Sequence, residues 1–171
     1  MKIFLLGLPG SGKTTLGKEL AGLLGLRFVD LDLEIERGAA KKITEIFGEN
    51  GEDYFRELES LELRKWCTSP ERFVMATGGG APCFMDNMET INQSGKSIFL
   101  DVPAGVLAAR IQLDGLAERP LLASLQSDEL MGKIQLLRSN RIVFYERAHF
   151  ILSGEAITSA EMVEKLVIGK Q

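Results

Sequence analysis

The chain alternates between short stretches that are apolar at every position and longer ones that are apolar at every third or fourth. Continuous apolar runs of strand length occupy residues 3–6, 73–76, 98–100 and 150–152, with a shorter one at 28–29. A strand that is apolar on both faces of its pleat needs cover on both sides. Between these runs, residues 13–24, 51–68, 103–113, 127–146 and 158–168 carry helical spacing. Strands alternating with helices read as an α/β fold with a mainly parallel sheet covered on both faces. The stretch DGLAERPLLASLQS, residues 114–127, interrupts two helical patterns and is expected to be either a surface connection or a flap over a site.

Composition narrows the class. The 171 residues suffice for one core, so residues 1–171 read as a single domain, and 45% hydrophobic with 26% charged content is ordinary for a soluble globular chain. A formal charge of −4 supplies no global basic field for nucleic acid or an anionic membrane, so any anion must be met by a local site. No run approaches the eighteen apolar residues a membrane helix needs, and the N-terminal run IFLL is too short for a signal-peptide core. Cys67 and Cys83 show neither a disulfide framework nor metal-ligand spacing. The expectation is a cytoplasmic monomer that binds neither nucleic acid nor membrane.

Candidate chemistry starts at GLPGSGKT. Gly7, Gly12, Lys13 and Thr14 satisfy GxxxxGK[ST], between an expected strand and an expected helix, which is the context the pattern requires. Glycines let backbone N–H groups of Gly10, Ser11 and Gly12 wrap an anion, and the following helix adds its positive end. Lys13 would neutralise the β- and γ-phosphates of a nucleotide, the Thr14 hydroxyl would ligate Mg²⁺ bridging them, and Thr15 would lie beside the α-phosphate. Such a loop serves switches, motors and small-molecule kinases alike. A GTPase switch would offer DxxG and NKxD, and neither occurs.

A kinase needs an acceptor base, an acceptor pocket and further arginines. In FVDLDLEIE, Asp30 and Asp32 flank one residue after the second strand; two carboxylates there can hold Mg²⁺ through water and accept a hydroxyl proton, or simply start an acidic helix. In YFRELE, Arg56 and Glu59 stand at i and i+3 and can fix each other's orientation. ATGGGAP places three consecutive glycines after a strand, a poor choice for stability unless backbone must approach a ligand. Arg110, Arg119 in the candidate flap and Arg141 in SNRIVFYERA are the cations available to phosphates or an acidic acceptor. His149, the only histidine, beside the last strand, is expected to be structural.

Taken in order, GLPGSGKTT, DLDLEIE, ITEIFGENGEDYFRELE, TGGGA, ERPLL and NRIVFYERA resemble the shikimate kinases over residues 7–148. That resemblance implies transfer of the ATP γ-phosphate to the 3-hydroxyl of shikimate, on the route to chorismate and the aromatic amino acids. It also implies a nucleoside monophosphate kinase-like fold with a five-stranded parallel sheet of order 2-3-1-4-5. An acceptor-binding segment would run over about 30–62, and a lid over about 114–127. By motif, Asp32 would bind the acceptor and serve as base, Asp30 would hold the Mg²⁺ water shell, and Arg56, Arg141 and Gly79 would hold shikimate. Glu59 would orient Arg56, with Phe47, Phe55 and Pro9 as apolar wall. Arg119 would be the lid arginine on the phosphates, and Arg110 would pack on adenine. The resemblance thins after the last strand, where SGEAITS offers only backbone to adenine.

Overall fold

A computed structural model describes residues 1–113 and 127–168. The first apolar run is strand β1 (Lys2–Leu6), which passes through the glycine loop into helix α1 (Lys13–Leu24). Strand β2 (Arg27–Asp30) runs without a connecting loop into α2 (Leu31–Ala39), because Asp30 ends the strand and caps the helix, its Oδ1 accepting from Leu33 N at 3.4 Å. Helix α3 (Ile43–Thr68) is broken at Gly51, whose φ of 83° and ψ of 178° leave the helical region. Strand β3 (Phe73–Ala76) leads through the triple glycine and a 3₁₀ turn (Ala81–Cys83) into α4 (Asn87–Ser94). Then follow β4 (Lys96–Asp101), α5 (Ala104–Leu113), α6 (Ser127–Tyr145), β5 (Phe150–Ser153) and α7 (Ser159–Ile168).

Every strand pair is parallel and the sheet order is β2-β3-β1-β4-β5, as the resemblance implied. The uninterrupted apolar runs are explained by the two cores. Phe4 and Leu6 of β1 point into one, with α2 through α6, while Ile3 and Leu5 point into the other, with α1 and α7. Two helices exceed the sequence expectation. In α2 the acidic positions hid a short apolar stripe, Leu31 and Ile35, and α4 is mostly polar and buries only Met88 and Ile91 among its apolar side chains.

The topology places the site. From β1 the chain crosses to the edge strand β2 and returns to β3 between them, then passes to β4 and β5 on the other side, so β1 sits at the switch point. Ala76 is level with Leu5 on one neighbour and with Asp30 on the other, which brings the glycine loop, the DLD stretch and the triple glycine to one end of the sheet. Among the described residues, no helix is long and apolar enough to cross a membrane.

Candidate active site

The donor end is built from backbone. Gly10 and Gly12 take φ values of 82° and 92°, a region open to glycine and strained for other residues, and Gly12 serves as the cap of α1. The N–H groups of the first turn of α1 face the loop, and its positive dipole end lies there. Ser11 is buried, Thr14 and Thr15 are exposed on the first turn, and Lys13 arches back over the loop, donating to Gly7 O at 2.9 Å and Leu8 O at 3.0 Å. Lys13 thus already lies against the anion cradle. The Thr14 hydroxyl donates to Asp30 Oδ2 at 3.2 Å, so the hydroxyl and carboxylate proposed as metal ligands stand side by side.

Arg110 reaches the loop from α5. Its Nη1 donates to Gly10 O at 3.3 Å and its Nη2 to Glu155 O at 2.6 Å, so the guanidinium joins the phosphate loop to the turn after β5. The acidic side chain of Glu155 is no obstacle there, because the chain offers its carbonyl.

Beside this lies a cluster of side chains that are distant in sequence. Arg56 and Glu59 are buried on α3 and joined by a 2.6 Å ion pair from Nη1 to Oε2, with Glu52 accepting from Nη2 at 3.1 Å. Burial pushes the Glu59 carboxyl up to about 7, against the pull of Arg56. Asp32, on the first turn of α2, is pushed up to about 6, first by burial and then by the neighbouring Asp30, with Lys13 and Arg56 opposing. A carboxyl poised near neutrality beside a phosphate loop is suited to accept a proton.

The triple glycine threads between these charges. A Cβ on Gly78 would lie 2.7 Å from Glu59 Oε1 and 2.9 Å from Asp32 Oδ1. One on Gly79 would lie 3.0 Å from Arg141 Nη1 and 3.4 Å from Pro9 Cδ. One on Gly80 would fall 2.5 Å from Arg56 Nη1. None of the three has positive φ, so the sequence demands glycine here for room and not for backbone conformation.

Gly10, Ser11, Gly12, Lys13, Thr14, Asp30, Asp32, Arg56, Gly79, Arg110 and Arg141 thus fall at one end of the sheet. Phe47 and Phe55 pack together, ring centroids 4.6 Å apart, next to Arg56. Arg119 and residues 114–126 of the candidate lid lie outside the described residues. His149 is structural: its Nδ1 accepts from Ser97 N at 3.3 Å, fastening β5 to β4.

Tyr145 has no role that the motifs imply. It is fully buried, stacks near Phe99 with centroids 4.9 Å apart, and donates from its hydroxyl to Gly79 O at 2.5 Å. Its signal was the i, i+4 spacing from Arg141, which puts both on the face of α6 turned to the triple glycine.

With this geometry in hand, comparison with known proteins is decisive: the sequence profile of the shikimate kinases matches residues 9–169. The chain belongs to the shikimate kinase family. A shikimate kinase of Bacteroides thetaiotaomicron is 42% identical over 167 residues, covering 98% of this chain and 94% of that protein. A crystal structure of shikimate kinase from the same species matches with a TM-score of 0.90 at 39% identity, covering 98% of both chains. The Acinetobacter baumannii shikimate kinase, solved in complex with shikimate, matches with a TM-score of 0.87 at 33% identity over 99% of this chain and 94% of that one. This shikimate kinase family member is therefore a phosphotransferase with ATP as co-substrate.

Proposed function

We propose that the chain transfers the γ-phosphoryl group of ATP to the 3-hydroxyl of shikimate, with the residues above in the following roles. Asp32 accepts the hydroxyl proton as the oxygen attacks phosphorus, the bond to the β,γ-bridging oxygen breaks, and ADP leaves. Lys13 and the loop N–H groups of residues 10–15 offset the charge on the phosphates. Arg119 adds positive charge at the transferring group, a role that rests on the ERPLL resemblance. Arg110 takes the adenine side, supported by its bonds to the loop and to the turn after β5.

The observation that carries the acceptor assignment is the triple glycine, whose three positions abut Asp32 with Glu59, Arg141, and Arg56 in turn. Shikimate is a carboxylate with three hydroxyls. Two arginines can clamp its carboxylate through charge-assisted bonds of roughly 1.5 to 3 kcal/mol each, leaving Asp32 at the hydroxyl end. Glu59 holds Arg56 in register for that clamp.

The oxygens of Thr14 and Asp30 fit a hard divalent ion: the hydroxyl can ligate Mg²⁺ directly and the carboxylate can hold its water shell, with phosphates supplying the rest. When bound, Mg²⁺ neutralises charge on the β- and γ-phosphates. We place the enzyme in the cytoplasm as a single-domain monomer, supported by two free cysteines and one continuous sheet.

A coupled ADP-release assay tests the function. ADP release that depends on shikimate is expected, with gluconate and nucleoside monophosphates rejected by about 10⁴-fold or more in kcat/KM. No shikimate-dependent release at millimolar acceptor overturns it.

A further inference from the structure

One side chain in contact with the acceptor clamp is explained neither by the motifs nor by the reaction. Phe84 follows TGGGAPC, its ring centroid lies 4.4 Å from Arg56 Cζ, and it stays 37% exposed despite being apolar. Phe55 approaches the same guanidinium at 5.1 Å. Glu59 and Glu52 occupy donors of Arg56, so its planar face is what remains for the two rings.

The backbone holds Phe84 there against its own preference. Met85 and Asp86, the next two residues, have φ of 49° and 57°, and Ala40 is the only other non-glycine at positive φ among the described residues. Such conformations persist where the surroundings over-determine them, and they gather at ligand sites. Here the surroundings are specific. Arg64 Nη2 donates to Met85 O at 2.8 Å, and Asn87 N donates to Phe84 O at 2.9 Å. The Asn87 side chain donates to Ala81 O at 3.0 Å and accepts from Ser60 Oγ at 2.8 Å. The turn is therefore clamped to α3, the helix that carries Arg56.

The remaining support for Arg56 on its open side is weak. Glu52 is 57% exposed, and an ion pair so wetted holds an orientation poorly. We propose that Phe84 is a positioning residue for the acceptor: its ring fixes the plane of the Arg56 guanidinium and shields its pairing with the acceptor carboxylate from water. This inference rests on the reading that the acceptor is shikimate with its carboxylate on Arg56. Because that carboxylate is remote from the reacting hydroxyl, Arg56 binds ground state and transition state alike, and a loosened clamp raises KM while sparing kcat.

The test is steady-state kinetics of wild type, Phe84→Ala, Phe84→Leu and Phe84→Tyr, each with shikimate and with its methyl ester, which lacks the carboxylate charge. Phe84→Ala is expected to raise KM for shikimate about tenfold, lower kcat less than threefold and leave KM for ATP within twofold. Phe84→Tyr restores KM, and Phe84→Leu, with apolar bulk but no π face, falls between. With the ester, Phe84→Ala should cost less than twofold. An unchanged shikimate KM in Phe84→Ala, an equal rise for acid and ester, or full restoration by Leu each overturns the proposal. Should Phe84→Ala fail to fold, the Leu and Tyr variants decide alone by the same comparison. A wild type that ignores shikimate overturns the acceptor reading, and this inference with it; a competent wild type with insensitive variants overturns this inference only.

Discussion

The two ends of the site are made in opposite ways. The donor end comes from eight consecutive residues, Gly7 to Thr14, and works through backbone amides and one lysine. The acceptor end draws Asp32, Arg56, Glu59, Gly79 and Arg141 from four separate segments and works through charged side chains, Arg56 and Glu59 buried and Asp32 and Arg141 half-buried. Backbone amides are held in place chiefly by loop and helix, with Arg110 on Gly10 O and Asp30 on the Thr14 hydroxyl as the distant partners. Buried charges need partners, and these arrive only when the sheet is assembled. The difference implies that substitutions at each end should impair that end's ligand and leave the other's alone.

The sharpest break to attempt is Lys13→Ala. It removes a charge held against the phosphate loop and should lower kcat/KM for ATP by about 10³- to 10⁴-fold, weakening nucleotide binding and chemistry together. Shikimate affinity measured calorimetrically without nucleotide should stay within twofold; a tenfold loss there would mean the two ends are not separable. Asp32→Asn attacks the other side and should lower kcat by about 10²- to 10⁴-fold while the Kd for ATP changes less than twofold. Turnover equal to wild type would remove Asp32 as the base.

The same contrast explains what the sequence disclosed. All five apolar runs became strands: in β1, β3 and β4 burial on both faces leaves a continuous signature, while the edge strands β2 and β5 are buried only in part. The phosphate loop was legible because its residues are adjacent. Helix α2 was legible only at its start, as the acidic helix start open to Asp30 and Asp32, because Asp30 serves as both strand end and cap and leaves no turn residues between the elements. At the acceptor end, Arg56 with Glu59 and the triple glycine were visible as local oddities, but each alone also fitted a surface ion pair or a loose turn. Their order along the chain, and the family it resembles, joined them before the fold did. Tyr145 stood within a quoted motif without a role, since its partner Gly79 is 66 residues away. Phe84 had no local signal at all: its meaning depends on Arg56 lying beneath it.

Tyr145→Phe sharpens the comparison within the acceptor end. The substitution keeps the ring against Phe99 and deletes only the hydroxyl that holds Gly79 O. A fully buried carbonyl left unsatisfied costs about 1–3 kcal/mol, and the half-buried Gly79 O stands at or below the lower end of that range. If part of that is expressed as a displaced glycine turn, KM for shikimate should rise about five- to tenfold, with KM for ATP unchanged. A fall in thermal stability with no change in shikimate KM would reduce the bond to a purely structural one.

The smallest effect concerns the cost of keeping the acceptor end charged. Asp32 titrates near 6 in the folded protein and near 3.8 when exposed, so the native state binds its proton more tightly than the unfolded state does. Between pH 4 and 6 the folded form holds a proton that the unfolded form has lost, and wild-type stability accordingly falls as pH rises through that window, with the whole penalty present above it. Asn at this position carries no charge at any pH. Asp32→Asn should therefore be the more stable protein at pH 8, by about 1–3 kcal/mol, or ~5 °C in Tm, despite its lost activity. The gain should shrink below pH 6 and vanish near pH 4 in thermal melts. A stability difference independent of pH would mean that Asp32 is not held against its ionisation preference and that keeping the acceptor end charged costs the fold nothing.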